Sequence, residues 1–140
     1  MQDLGIETLM QQGRWEDAEL ACKSALQVNP VSAKLHAYMG LCRFRRNDFG
    51  QACESFKRAT ALDPNFVDAG VKHAQALDRM QRYEEAYVVA NEWLRVRPSD
   101  RTLQGLVNGL QLHVKGNRSD AWERTAHFAH RIVLAQDEDE

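Results

Sequence analysis

Apolar residues along this chain recur with the spacing of amphipathic helices. Within residues 31–64, Leu35, Met39 and Cys42 are separated by four and three residues, which places them on one face of a helix. A second stripe with the same kind of spacing follows at Phe49, Ala52, Phe56 and Ala59. Asp48 stands between the two stripes as a helix N-cap. The segment is therefore predicted to be a pair of helices joined by a short turn.

The same pattern returns every 34 residues. Four columns of residues keep one chemical type at this step: Ala18, Ala52 and Ala86; Trp15, Phe49 and Tyr83; Val28, Leu62 and Val96; Pro30, Pro64 and Pro98. A fixed period of this length is typical of a solenoid, because each unit can bury its apolar face only against a neighbouring unit. The alanines meet the need for small side chains where two packed helices come closest.

The pattern predicts eight helices, at residues 2–12, 15–28, 31–46, 49–61, 65–80, 83–96, 99–115 and 119–136. They form one domain over residues 1–136, with units at about 1–32, 33–66, 67–98 and 99–136. We expect Pro64 to open the helix that follows it, because a first-turn residue needs no N–H. The fourth unit is degenerate, as expected of a terminal cap, and residues 137–140 are a solvated acidic tail.

Composition narrows the class of protein. Of the 140 residues 44% are hydrophobic and 27% are charged, which suits one soluble globular domain. The 18 Lys and Arg against 20 Asp and Glu argue against general attraction to nucleic acid, despite the basic cluster of Arg43, Arg45 and Arg46. No apolar run is long enough to span a membrane, and the start has no signal-peptide pattern. Three cysteines without a CxxC motif favour a reducing, cytoplasmic location.

These repeats resemble the tetratricopeptide repeat family. The second unit carries the family's series of small, aromatic, alanine, large apolar, small and proline residues as Gly40, Phe49, Ala52, Phe56, Ala59 and Pro64. The resemblance covers residues 2–98 well and 99–136 loosely. It implies an all-α, right-handed α-solenoid of antiparallel helix hairpins, with three clear repeats and a degenerate fourth pair.

The third unit departs from the family pattern. Trp93 stands where the family has a small residue, and Gly70 stands where it has tryptophan. We expect the large ring to force Ala90, one turn earlier, to stay small. Replacing Trp93 with alanine is expected to cost about 3–5 kcal/mol through the cavity it leaves.

The resemblance also implies a concave groove lined by the first helix of each unit. The candidate partner-binding residues there are Lys34, Tyr38, Leu41, Phe44, Arg45, Val71, Lys72, Gln75, Arg79 and His113. Tyr38, Leu41 and Phe44 form an apolar stripe apart from the core stripe, so they either bind a partner or pack on a neighbouring repeat. The charged residues either recognise acidic groups of a partner or form ion pairs within the chain, for instance an Asp78–Arg82 pair.

The sequence thus predicts a non-catalytic protein-interaction module. It is expected to bind a peptide or helix of a partner protein, and this segment is expected to carry acidic groups. The alternatives are a self-assembling homo-oligomer and a chaperone for a secreted or unfolded substrate.

No phosphate loop, nucleophile motif or zinc motif is present, so no enzyme activity, cofactor, nucleic acid or membrane partner is expected. His127, His130 and Glu123 share a helix face, but we expect no metal there. The family's clamp for C-terminal carboxylates is also not expected, because Asp3 and Glu7, or Ala37 and Leu41, replace its Lys and Asn.

Overall fold

A computed structural model of the chain describes residues 2–114, and all regular structure in this part is helical. The helices are α1 (Gln2–Gln11), α2 (Trp15–Val28), α3 (Ala33–Arg45), α4 (Phe49–Leu62), α5 (Val67–Arg79) and α6 (Tyr83–Val96). A seventh helix, α7, covers residues 101–114. The prediction of seven helices in this range is confirmed to within two residues at each end. The predicted helix at 119–136 and the acidic tail lie outside the described residues.

Each of the first five helices packs against the helix that follows it, and α3 also contacts α5 across α4. Ala18, Ala52 and Ala86, the small column of the second helices, are fully buried. One core cluster joins α1 to α3 through Ile6, Cys22 and Leu35, and a larger one joins α4 to α7. The predicted all-α solenoid is confirmed.

The prediction that Pro64 opens a helix is wrong. The α5 helix begins at Val67, and Pro64 lies in the preceding turn, where the Asn65 N–H donates to the Asp63 side chain at 3.1 Å. The turn reverses the chain before the next helix begins. At α3, the residue that caps the helix is Ser32, whose hydroxyl accepts from the Leu35 N–H. The first helices therefore start three residues after each proline.

The turns inside the hairpins share a feature that the sequence pattern did not reveal. The residues just after α1, α3 and α5 have positive φ angles: Gly13 at 74°, Asn47 at 62° and Gln81 at 61°. These three positions follow the 34-residue period. In each turn the next N–H donates to a carbonyl near the end of the first helix at 2.9 Å, which is a Schellman closure. The side-chain pattern does not show this column, because its three members share a backbone angle and not a side-chain type.

Two glycines mark the closest approaches within the hairpins. A Cβ placed on Gly40 would lie 2.7 Å from the Phe56 ring, and one placed on Gly70 would overlap the Trp93 indole more severely. The exchange of large for small at Trp93 is therefore compensated from across the hairpin. Our expectation that Ala90 supplies the compensation needs correction, because the glycine on α5 makes the space. Ala90 is fully buried beside the same core.

Candidate functional site

The first helices of the second and third units enclose an open cavity of about 450 Å³. Five of the candidate partner-binding residues line it: Tyr38, Leu41, Val71, Lys72 and Gln75. The other lining residues were not among the candidates: Ala37, Phe56, Phe66, Asp68, Ala69, Asp100 and Thr102. We call this cavity the α3–α5 groove.

The floor of the α3–α5 groove is apolar because the core reaches its surface there. Phe56 rises from α4 between the two first helices and is only 1% exposed. Leu41 packs on the same cluster from α3, and Val71 is buried on α5. The floor is thus rigid and continuous with the hairpin packing, which favours binding without rearrangement of the receptor.

Phe44 is predominantly a packing residue. Its ring lies edge-on to Phe49 with centroids 5.2 Å apart, and it contacts two core clusters. The alternative interpretation of Phe44, packing on a neighbouring repeat, describes its position, because the larger of these clusters lies mainly in α5 to α7. Its outer side carries the Lys72 ammonium, 5.4 Å from the ring centroid. Partial burial, together with the nearby charge of Arg45, lowers the pKa of Lys72.

Tyr38 and Lys34 meet a carboxylate of the first unit. The Tyr38 hydroxyl donates to Glu7, and this hydrogen bond holds the pKa of the carboxyl below its usual value. The Lys34 ammonium lies 3.6 Å from the same carboxylate and 5.6 Å from the Tyr38 ring centroid. These three side chains form one polar cluster at the α1 side of the groove, where Tyr38 lines the cavity and Lys34 does not.

Two of the candidate partner-binding residues, Arg45 and His113, stack on aromatic residues of the preceding unit. The Arg45 guanidinium lies 5.5 Å from the Trp15 ring centroid, and His113 stacks on Tyr83 with centroids 4.1 Å apart. Arg79 is exposed and has no ion pair within the described residues. The suggested Asp78–Arg82 pair is wrong, because Arg82 binds Glu85 at 2.7 Å instead.

Most of the basic cluster at the end of α3 is neutralised inside the chain. Arg43 and Arg46 both donate to Glu19 of α2, and Arg43 also donates to Ser55 of α4 at 2.8 Å. Burial alone would raise the pKa of Glu19, but the two arginine hydrogen bonds outweigh it and lower that pKa. The sequence could not show this network, because its members are 24 and 27 residues apart.

The charges around the α3–α5 groove are unevenly placed. Asp68 in the first turn of α5 and Asp100 at the start of α7 line one end. Asp100 caps α7 by accepting from the Leu103 N–H at 3.0 Å, and Asp68 has no ion pair in residues 5–114. Lys72 also lines the cavity, and its ammonium lies over the Phe44 ring near the end of α3. Arg45 and Arg79, the last residues of α3 and α5, lie beyond the cavity lining. The cavity is therefore acidic at one end, and the cations in and beyond it lie toward the ends of α3 and α5.

Other chemistry finds no support in the part of the chain that the structure describes. No cluster of three His, Cys, Asp or Glu side chains there could hold a metal ion. No described helix combines the length and apolar character needed to cross a membrane. Cys22, Cys42 and Cys53 are all buried, and none of the three forms a disulfide. The histidine pair His127 and His130 lies outside the described residues.

Comparison with known proteins agrees with this architecture. The tetratricopeptide repeat model matches residues 33–66. The "Protein CTR9 homolog" of Arabidopsis thaliana is 34% identical in an alignment of 89 residues that covers 54% of this chain but only 8% of that protein. The chain thus spans less than a tenth of the curated relative that it matches.

Solved structures show the same fold at lower identity. The Arabidopsis OM64 TPR domain superposes with a TM-score of 0.74 at 20% identity, covering 77% of this chain and 89% of that one. The first TPR of Spaghetti (RPAP3), bound to the HSP90 peptide SRMEEVD, gives a TM-score of 0.78 at 18% identity over 81% and 90% of the two chains. Residues 33–66 thus match the tetratricopeptide repeat model, and the chain has the fold of a tetratricopeptide repeat domain.

Proposed function

We propose that the chain is a non-catalytic protein-interaction module that binds a short segment of a partner protein in the α3–α5 groove. The observation that carries this proposal is the open cavity of about 450 Å³ with a preformed apolar floor. Exposed concave apolar surfaces on rigid scaffolds are typical sites for partner side chains. The likeness to a fold that holds the HSP90 peptide in Spaghetti (RPAP3) supports the same class of function.

Within the groove, Leu41, Val71 and the ring of Tyr38 are the proposed anchors for an apolar side chain of the partner. Lys72 and Gln75, which also line the cavity, supply polar contacts beside them. Arg79, exposed at the end of α5 beyond the cavity lining, offers a cation for an acidic group. Arg45 and His113 contribute less directly, because their side chains stack on Trp15 and Tyr83. A C-terminal carboxylate clamp is not part of the proposal, since Glu7, Ala37 and Leu41 offer no matching cation.

Site-specific photo-crosslinking in cells tests the proposal. A photoreactive phenylalanine analogue replaces Gln75 in the groove or, as a matched control, Val88, which is 53% exposed on α6. We expect discrete partner adducts from position 75 that disappear when Leu41→Gln is added. Adducts from position 88 alone, or adducts from 75 indifferent to Leu41→Gln, would contradict groove binding.

The alternatives of self-assembly and chaperone action are outcomes of the same experiment. An adduct of twice the chain mass, with a dimer seen by light scattering, would favour a homo-oligomer. A broad smear of adducts in place of discrete bands would favour a chaperone of unfolded chains.

A further inference from the structure

The charges in and beside the α3–α5 groove have opposite signs toward its two ends, and this polarity restricts what the groove can bind. Helices α3 and α5 are parallel, because each is antiparallel to α4, which lies between them in the chain. Their N-terminal ends therefore share one side of the groove and their C-terminal ends the other. Arg45 and Arg79 are the last residues of these two helices, whereas Asp68 lies in the first turn of α5.

The acidic end is built from two separate helices. Asp68 and Asp100 come from α5 and from the start of α7, and both border the same cavity. Thr102 adds a hydroxyl at this end. One oxygen of Asp100 accepts the capping hydrogen bond from Leu103, and within residues 2–114 its second oxygen has no hydrogen bond or ion pair.

The cation of Lys72 is directed away from the acidic end. Lys72 lies one turn after Asp68 on α5, yet no ion pair joins them in the described structure. Its ammonium lies over the Phe44 ring instead, near the end of α3 and close enough to Arg45 for that charge to act on it. The two ends of the groove are therefore not neutralised by one another.

We propose that the groove binds its partner segment in one direction, with a basic side chain at Asp68 and Asp100, an apolar side chain on the Leu41–Val71 floor and an acidic side chain toward Lys72 and Arg79. This inference rests on the proposed function and deepens it by stating the chemistry of the occupant. Asp68 and Arg79 are 11 residues apart on α5, a rise of about 16 Å. An extended segment covers that distance in about five residues, so the basic and acidic side chains are expected about five positions apart.

A random dodecapeptide display library tests the proposal even though the natural partner is unidentified. Selection on the wild-type chain is expected to enrich peptides with Lys or Arg on one side of an apolar residue and Asp or Glu on the other, in a constant order. The same selection on a Leu41→Gln variant, checked for native helicity, should lose this enrichment. Failure to enrich any peptide that depends on Leu41 would count against the proposed function itself.

The carboxylates are then tested with one selected peptide made synthetically. Asp68→Asn with Asp100→Asn is expected to weaken its affinity about three- to tenfold, because exposed ion pairs each contribute a modest amount. Glu84→Gln with Glu92→Gln, which removes two exposed charges from α6, is the matched control and should leave affinity unchanged. An Asp68→Lys variant should bind better to a peptide whose basic residue is replaced by Glu than to the original.

The outcomes distinguish the direction of binding from groove binding itself. Enriched peptides that require Leu41 but carry acidic residues on both sides, or that are indifferent to the Asp68 and Asp100 changes, would overturn the polarity while leaving groove binding intact. Enrichment of opposite charges in both orders with equal frequency would overturn the single direction of binding.

Discussion

The second hairpin (α3–α4) and the third hairpin (α5–α6) each pack one large aromatic ring against a glycine of the facing helix, but at positions about one helical turn apart. In the second, Gly40 of α3 receives the Phe56 ring, and in the third, Gly70 of α5 receives the Trp93 indole. At the positions equivalent to Gly40 and Phe56, 34 residues later, the third hairpin has Ala74 and Ala90. The large ring has moved three residues toward the end of α6, and the glycine has moved four residues toward the start of α5.

The opposite shifts of the ring and the glycine follow from the antiparallel arrangement of the two helices. A ring that moves toward the C-terminal end of one helix meets the N-terminal part of its antiparallel partner, so the glycine must move the opposite way in sequence. A large ring on one helix and a glycine on its partner helix therefore form a pair. The pair can occupy different positions along a hairpin, provided that both residues change position together. Single changes to either member should be costly, and paired changes less so.

Removing the rings gives the largest expected effect and compares the two hairpins directly. Phe56→Ala is expected to lower the free energy of unfolding by about 3–5 kcal/mol, because the ring is almost fully buried and leaves a cavity. Trp93→Ala should cost about 3 kcal/mol, at the lower end of that range, since the indole is only half-buried. Urea unfolding followed by circular dichroism measures both. A loss below about 1 kcal/mol at either site would show that the ring does not fill the hairpin as described.

Filling the glycine at the third hairpin tests the pairing. Gly70→Ala is expected to destabilise the chain by about 1–3 kcal/mol, because the added Cβ overlaps the Trp93 indole despite the better helix propensity of alanine. Combined with Trp93→Ala, the same change should become neutral or stabilising. Additive losses of stability in the double mutant would contradict the proposed pairing of the Gly70 position with the Trp93 ring. Gly105→Ala on α7, where a Cβ meets no atom of residues 2–114 within 4 Å, is the matched control and should stabilise slightly.

The turns of the two hairpins differ in how well their residue suits a positive φ angle. Asn47 tolerates this conformation, whereas Gln81 at 61° carries a side chain that rarely adopts it. Gln81→Gly is therefore expected to raise the free energy of unfolding by about 1 kcal/mol, and Asn47→Gly by less. Equal shifts of the two thermal midpoints would contradict the assignment of strain to Gln81.

A buried histidine gives the smallest expected effect and distinguishes the hairpins by pH. His73 occupies the position that Met39 has in the second hairpin, and its Nε2 has no hydrogen-bond partner among the described residues. Burial lowers its pKa, assisted by Lys57 and opposed by Glu54 and Glu85. The folded state therefore binds fewer protons than the unfolded state, and stability should fall as pH drops below about 6.5.

The matching measurement is stability against pH for the wild type and for His73→Met. The variant should lose less stability than the wild type between about pH 7 and pH 5. Both proteins will lose the contributions of Glu7 and Glu19 at lower pH, because those carboxyls have lowered pKa values in the folded state. Parallel pH profiles for the two proteins would show that His73 does not report this difference.

The sequence revealed what repeats in side-chain type and missed what depends on contacts between helices. The 34-residue period and the alanine column predicted the hairpins, and Asp48 was identified correctly as the cap of α4. Pro64 was misplaced because a proline is compatible both with a turn and with a first helical turn. The Gly70–Trp93 contact requires the register of two helices, and the Glu19–Arg43–Arg46 network joins two of them, so neither can be read from one helix alone.

The candidate site was predictable to a similar degree. The apolar anchors Tyr38, Leu41 and Val71 followed from position on the first helices and do line the cavity. Asp68 and Asp100 were not recognised as candidates, because their importance arises only where the starts of α5 and α7 meet. Phe44 satisfied the spacing rule equally well, but its position against Phe49 depends on the neighbouring helix.

Binding of partners on the concave side of the solenoid, at the α3–α5 groove, underlies both functional proposals. Methyl NMR during titration with a peptide from the display selection tests it most directly. Groove binding predicts shifts concentrated at the Leu41 and Val71 methyl groups, with those of Val88 and Val96 on α6 unchanged. Shifts concentrated at Val88 and Val96, with Leu41 and Val71 unmoved, would contradict it.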